Sequence, residues 1–80
     1  MGMDKVMQFK KIVAQYTDVA VEDMTDDMRF REDLGFSSLD FMSFMGELED
    51  TFDVELEQEN AAQVRTIGDA LEMMNKMMEA

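Results

Sequence analysis

The sequence predicts an all-α fold: a small helical bundle of three longer helices plus one short helix, with a long first loop. Apolar residues recur at intervals of three and four in three segments, the spacing of one-faced helices. Two Ser/Thr-x-x-Asp sequences mark helix starts, and the chain contains no Pro that would mark a linker. Eighty residues allow one domain with one small core, so residues 1–80 are predicted to form a single domain.

The first helix is predicted over residues 4–16. Polar side chains occupy one side of this segment, and the other side is an apolar stripe made of Val6, Phe9, Ile12, Val13 and Tyr16. We interpret the stripe as core and assign it no functional role.

Residues 17–36 are rich in Asp and Glu and lack sustained periodicity, which predicts a long loop. Scattered apolar residues are expected to pin it onto the bundle, with a turn of helix near residues 22–24. Arg29 and Arg31 are its only cations, and we expect them to offset neighbouring acids without serving a ligand.

The second helix is predicted from Ser38 to residue 51 or 52. Its core stripe is predicted to comprise Met42, Met45, Leu48 and Phe52, with Phe44 also buried. For Leu39 and Phe41 two interpretations stay open: burial in a central helix, or a surface patch beside Ser38 that docks a partner. After an extended connection, residues 58–63 predict a short helix. A closing helix then begins at a second capping box formed by Thr66 and Asp69.

The chain carries 19 acidic and 7 basic residues, a formal charge of -12. This charge argues against nucleic acid and anionic membranes as partners and favours proteins with basic surfaces. From residue 32 through residue 64 there are ten acids and no Lys or Arg. An acidic solvated face is the ordinary explanation, and the same run creates a negative field that attracts basic partners.

The absence of Cys and His excludes a disulfide and removes the usual zinc ligands, so no metal site is predicted. No apolar run approaches membrane-spanning length, and the first residues lack the apolar segment of a secretory signal. We therefore expect a cytoplasmic protein without membrane insertion.

The sequence Asp33-Leu34-Gly35-Phe36-Ser37-Ser38-Leu39-Asp40 places a serine at the start of the second helix. Gly35 supplies a turn, and Ser37 is predicted to cap the helix together with Asp40. Ser38 then becomes the first helical residue, with its side chain outward and the helix dipole favouring an anion there. No His is present to activate the serine, and Gly-x-Ser-x-Gly is not matched, so no enzyme is predicted.

This octapeptide, the acidic helix after it and the chain length resemble the acyl carrier protein family, whose motif is Asp-Leu-Gly-x-Asp-Ser-Leu-Asp. The resemblance implies that Ser38 carries 4′-phosphopantetheine, which makes the chain a phosphoprotein. A phosphopantetheinyl transferase would attach the group from coenzyme A with Mg²⁺. The surroundings of the attachment site would be Asp33, Gly35, Ser37, Leu39 and Asp40.

The resemblance also implies a monomeric carrier that holds acyl groups as thioesters for fatty-acid, specialised lipid or polyketide synthesis enzymes. The partner-binding residues would be Leu39, Asp40, Phe41, Glu47, Glu49, Asp50 and Asp53. Ser37, Phe41 and Ser43 depart from the usual Asp, small polar residue and Glu, which leaves the pathway open. Among eleven methionines, Met42, Met45 and Met74 either line an acyl cavity or simply fill the core.

Two other functions are compatible with parts of the sequence. One is an unmodified carrier-like module that binds partner proteins without a prosthetic group. The other is a Met-rich acidic adaptor of the calmodulin type. The adaptor requires calcium loops, and the acidic stretch at residues 22–27 lacks the central Gly and the closing Glu of such a loop.

Overall fold

The computed structural model describes the backbone of residues 2–79 and the side chains of residues 5–78. Its four α-helices are α1 (Gly2–Val13), α2 (Ser38–Phe52), α3 (Gln58–Ala62) and α4 (Ile67–Glu79). Two 3₁₀ turns follow α1, over Ala14–Tyr16 and Val21–Asp23. Apart from one isolated β-bridge, residues 2–79 contain no extended pairing. The all-α prediction, with three longer helices and one short helix, is confirmed.

The core is organised around Phe44, a residue of α2 that is fully buried. Its ring centroid lies 5.4–6.2 Å from five other aromatic rings, those of Phe9, Tyr16, Phe30, Phe36 and Phe41. Such rings attract one another edge-to-face in addition to the area they bury. Because they come from the α1 region, the first loop and α2, the cluster fastens these three parts together.

The first loop is held by buried side chains, as predicted. Four of them have at most 4% of their surface exposed: Met24, Phe30, Leu34 and Phe36. The turn of helix expected near residues 22–24 is the 3₁₀ turn Val21–Asp23.

Backbone hydrogen bonds also join the loop to the segment that leads into α4. The N–H of Phe30 donates to the carbonyl of Arg65, and the N–H of Ile67 donates to the carbonyl of Met28, each at 3.0 Å. A long loop without regular structure needs such partners for its backbone groups. The loop is therefore a fixed part of the bundle.

Two predicted core residues lie at the surface. Val6 is 37% exposed and Met42 is 66% exposed. The stripe on α1 begins one turn later than predicted, because so small a domain does not cover its whole length. Met42 is two residues from Phe44, about 200° around the helix, so α2 turns it away from the core. Leu39 is 74% exposed, whereas Phe41 is half-buried against the core.

Candidate functional site

The start of α2 is closed by two reciprocal hydrogen bonds. The Oγ of Ser37 accepts from the backbone N–H of Asp40 at 3.1 Å, and Oδ2 of Asp40 accepts from the backbone N–H of Ser37 at 3.1 Å. The predicted capping box is confirmed. Ser38 is consequently the first residue of α2, and it is exposed. Its hydroxyl lies at the positive end of the helix dipole.

The segment before the cap is shaped by a turn and a buried ring. Gly35 has a φ of 75°, a left-handed conformation that glycine adopts without strain. The carboxylate of Asp33 accepts the backbone N–H of Arg29 at 2.8 Å and closes the preceding turn. Phe36 is buried, and its N–H donates to the carbonyl of Phe30 at 2.8 Å. Asp33 and Gly35 thus fix the backbone that leads to Ser38.

The two arginines of the first loop have different partners. Arg29 forms an ion pair with Glu32, with 2.6 Å between Nη1 and Oε2, as expected. Arg31 instead donates from Nη2 to the Oγ of Ser38 at 2.5 Å. The expectation that both offset neighbouring acids is therefore wrong for Arg31. Spacing along the sequence gave no signal for this contact, because it depends on how the loop folds back beside α2.

A cavity of about 700 Å³ opens beside Ser38. Its apolar lining comes from the loop, α2 and the segment around α3: Phe30, Phe36, Phe41, Met42, Ala61, Ala62 and Val64. Its polar lining is Arg29, Arg31, Glu32, Ser38, Arg65, Thr66 and Asp69. Of the three methionines predicted as acyl-chain liners, Met42 borders this cavity. Met45 and Met74 lie in the packed core instead, at 8% and 5% exposure.

The outer face of α2 is apolar near Ser38. Leu39 and Met42 expose most of their side chains, and Ser43 follows them on the same side of the helix. One turn further stands Gly46, which adds no side chain. Counted from Ser38 along this face, two apolar side chains therefore come before the first acid.

Glu47, a predicted partner-binding acid, is half-buried and accepts a hydrogen bond from the hydroxyl of Tyr16. That hydrogen bond, with burial and the charges of Glu47 and Asp40, raises the pKa of Tyr16 to about 12. The contact joins the 3₁₀ turn that follows α1 to the middle of α2. Glu47 therefore stabilises the bundle as well as adding negative charge.

The acids at the end of α2 have different environments. The Oε2 of Glu49 accepts the backbone N–H of Leu56 at 2.9 Å, so this side chain holds the chain after the helix. Asp53 ends α2 in a left-handed conformation with φ 54°. Asp50 and Asp53 are exposed. Among the predicted partner-binding acids, these two present their charge most openly.

Comparison with known proteins identifies the family of this chain. Residues 8–74 match the family model described as the phosphopantetheine attachment site. The chain belongs to the acyl carrier protein family. That match spans most of the chain, and the predicted family resemblance is confirmed.

Solved structures of the same family agree with the observed fold. An acyl carrier protein from Enterococcus faecalis, noted for high thermal stability, superposes with a TM-score of 0.83 at 27% sequence identity. The alignment covers 96% of this chain and 98% of that one. A protein from Mycobacterium tuberculosis described as a candidate acyl carrier protein gives a TM-score of 0.73 at 26% identity. It covers 95% of this chain and 97% of its own.

The residues around Ser38 suit the 4′-phosphopantetheine that this family carries. The hydroxyl is exposed, so a transferase can reach it. A guanidinium and the helix dipole supply positive charge where a phosphodiester would form. The cavity beside Ser38 offers an apolar surface to a group attached to the arm. No helix in the part of the chain the structure describes is both long and apolar enough to cross a membrane.

Proposed function

We propose that this protein carries acyl groups as thioesters on a 4′-phosphopantetheine arm attached to Ser38. The observation that supports this most directly is the position of that serine, exposed on the first turn of α2 and bordering the cavity. Asp33, Gly35, Ser37 and Asp40 would hold the backbone on which it stands, through the turn and the capping box. The whole of residues 1–80 would act as one carrier domain.

Attachment would be performed by a partner transferase with Mg²⁺ and coenzyme A. The Oγ of Ser38 would attack the phosphorus that carries pantetheine, forming a phosphodiester and breaking the pyrophosphate bond. Adenosine 3′,5′-bisphosphate leaves, and the serine proton passes to a base of the transferase. The attached arm supplies the thiol that this Cys-free chain lacks. The chain itself would position and shelter the cargo while partner enzymes make and break the thioester.

Partner enzymes would approach along the outer face of α2 in the cytoplasm, and the carrier would act as a monomer. Leu39 would supply apolar contact on this face and Phe41 at the edge of the cavity. Basic surfaces of the partner would be attracted by the charge of the acids Asp40, Glu47, Glu49, Asp50 and Asp53. Asp50 and Asp53 would contribute most to this attraction because they are exposed. Charge attraction of this kind mainly accelerates association and weakens as salt is added.

The pathway would be fatty-acid synthesis or a specialised lipid or polyketide route. Ser37 and Ser43 each lack the acid that is usual in the family, and Ser43 lies on the exposed face beside Met42. We propose that these two positions set the choice of partner. If so, the double variant Ser37→Asp, Ser43→Glu will accept acyl groups faster from housekeeping fatty-acid enzymes. Unchanged transfer rates in the double variant would remove these positions as determinants.

The decisive experiment is the intact mass of the protein after incubation with coenzyme A, Mg²⁺ and a broad-specificity phosphopantetheinyl transferase. We expect one added phosphopantetheine in the wild type and none in Ser38→Ala. Ser37→Ala removes the neighbouring hydroxyl together with the cap, and one added phosphopantetheine in this variant would show that Ser37 is not the attachment residue. No addition with several transferases would instead support an unmodified module that binds partners through Leu39 and Met42.

A further inference from the structure

The cationic side chain nearest to Ser38 is not engaged by the acids around it. Glu32 pairs with Arg29, Asp33 accepts the backbone N–H of Arg29, and Asp40 accepts that of Ser37. Among the described side chains, ion pairs join Arg29 to Glu32 and Lys76 to Glu72, and neither includes Arg31. The guanidinium of Arg31 is instead directed at the hydroxyl of Ser38.

We infer that Arg31 is a positioning residue that binds the phosphodiester formed on Ser38. This contact would keep the phosphate end of the arm beside the opening of the cavity. The inference rests on the proposed function, because it requires modification of Ser38. A guanidinium presents several N–H donors in a fixed plane, which suits two oxygens of one phosphate. Modification turns the Ser38 Oγ that Arg31 now contacts into the ester oxygen of a phosphodiester, and the two non-bridging oxygens on the adjacent phosphorus carry the negative charge.

The position of Arg31 relative to the cavity gives this contact a direction. Arg31 and Ser38 border the same cavity, together with Phe41 and Met42. A phosphodiester bound by Arg31 would therefore lie on the cavity side of the α2 N-terminus. The arm would start beside the apolar lining, where an attached acyl chain can be removed from water.

The net negative charge of the protein increases the need for a cation beside the phosphodiester. A phosphodiester adds a negative charge to a chain whose formal charge is already -12. Without a nearby cation, repulsion would drive the arm away from the acidic surface. Arg31 offsets that repulsion at the one atom where the arm is joined, and it leaves the acids of α2 available to partners.

The experiment is ³¹P NMR of the modified protein in wild-type, Arg31→Gln, Arg31→Lys and Arg29→Gln forms. Arg29→Gln is the matched control, since it removes the same charge from the same loop and also borders the cavity. Arg31 is exposed, so its variants should fold, which far-UV circular dichroism checks. The urea-unfolded modified protein gives the ³¹P chemical shift that is expected when Arg31 does not contact the phosphodiester.

We expect Arg31→Gln to shift the phosphorus resonance toward the unfolded position, Arg31→Lys to shift it partway and Arg29→Gln to leave it near wild type. Added NaCl should shift the wild-type resonance in the same direction and have little effect on Arg31→Gln. Equal shifts for Arg29→Gln and Arg31→Gln, or no shift for either, would overturn the inference. Intact mass tests the proposed function separately: without phosphopantetheine on wild-type Ser38, both proposals fall together.

Discussion

The ring of Phe36 packs edge-on against the ring of Phe44, with 5.6 Å between the ring centroids and 86° between the ring planes. Phe36 lies two residues before Ser38, and Phe44 is fully buried at the centre of the bundle. The proposed attachment serine is therefore positioned by the core, although it is itself exposed. This relationship makes the geometry of the site depend on the packing of the interior.

Replacement of Phe36 should accordingly lower stability. Phe36→Ala removes a buried ring and leaves a cavity, at a cost of about 3–5 kcal/mol in the free energy of unfolding. Phe36→Leu keeps most of the volume and should cost about 1.5 kcal/mol or less. Urea unfolding followed by circular dichroism measures both variants. Equal stability of Phe36→Ala and wild type would show that the ring does not anchor the site.

The Ser37 cap should contribute to stability independently of any modification. Ser37→Ala removes the acceptor for the N–H of Asp40 and should lower the free energy of unfolding of the unmodified protein by about 1 kcal/mol. Ser37→Asp should retain wild-type stability, because Asp and Ser are comparable N-caps. Urea titrations of the three proteins at one pH make the comparison. If the Asp variant were as unstable as the Ala variant, the capping box would not be the cause.

The features predicted from sequence are mostly those that depend on nearby residues. The capping boxes, the turn at Gly35 and the limits of α2 follow from local chemistry, so spacing alone identifies them. The environments of Met42 and Arg31 depend on what packs beside them. The spacing of apolar residues did not show which side of α2 would have no other element packed on it. The contact of Arg31 with Ser38 forms only when the loop folds back beside α2.

Two glycines in helices should respond oppositely to the same substitution. A Cβ at Gly68 would lie 3.0 Å from the carbonyl oxygen of Asp26, which also accepts the N–H of Gly68 at 2.8 Å. Gly68→Ala should therefore push the loop from α4 and destabilise by about 1–3 kcal/mol. Gly46 has nothing within 4 Å of its Cβ position, so Gly46→Ala should stabilise by about 0.5–1 kcal/mol. Thermal unfolding of the pair checks both signs, and destabilisation by both would contradict the argument from space.

Added salt should stabilise the protein. With a formal charge of -12, the folded chain is opposed by self-repulsion that counter-ions screen. The melting temperature should rise between low and high NaCl concentration. Asp50→Asn removes one exposed charge, so it should raise the melting temperature at low salt and matter less at high salt. A melting temperature independent of NaCl would mean that repulsion is not a significant cost.

The contact between Tyr16 and Glu47 predicts a specific loss of stability at high pH. The pKa of Tyr16 is raised from 10.0 to about 12, chiefly by its hydrogen bond to Glu47. The folded state thus favours the protonated phenol, so this contribution is complete below pH 10 and is lost as the pH rises through 12. Tyr16→Phe should lack this part of the decline, while the titration of lysines affects both proteins alike.

Tyr16 is the only tyrosine, and the chain has no Trp, so ultraviolet absorbance reports its ionisation alone. The native protein should titrate near pH 12 and the urea-unfolded protein near pH 10. Glu47→Gln retains a hydrogen-bond acceptor and removes the charge, which should bring the native pKa closer to 10. Coincident native and unfolded titrations would show that the contact of Tyr16 with α2 is not maintained in solution, because the hydrogen bond to Glu47 is the largest cause of the raised pKa.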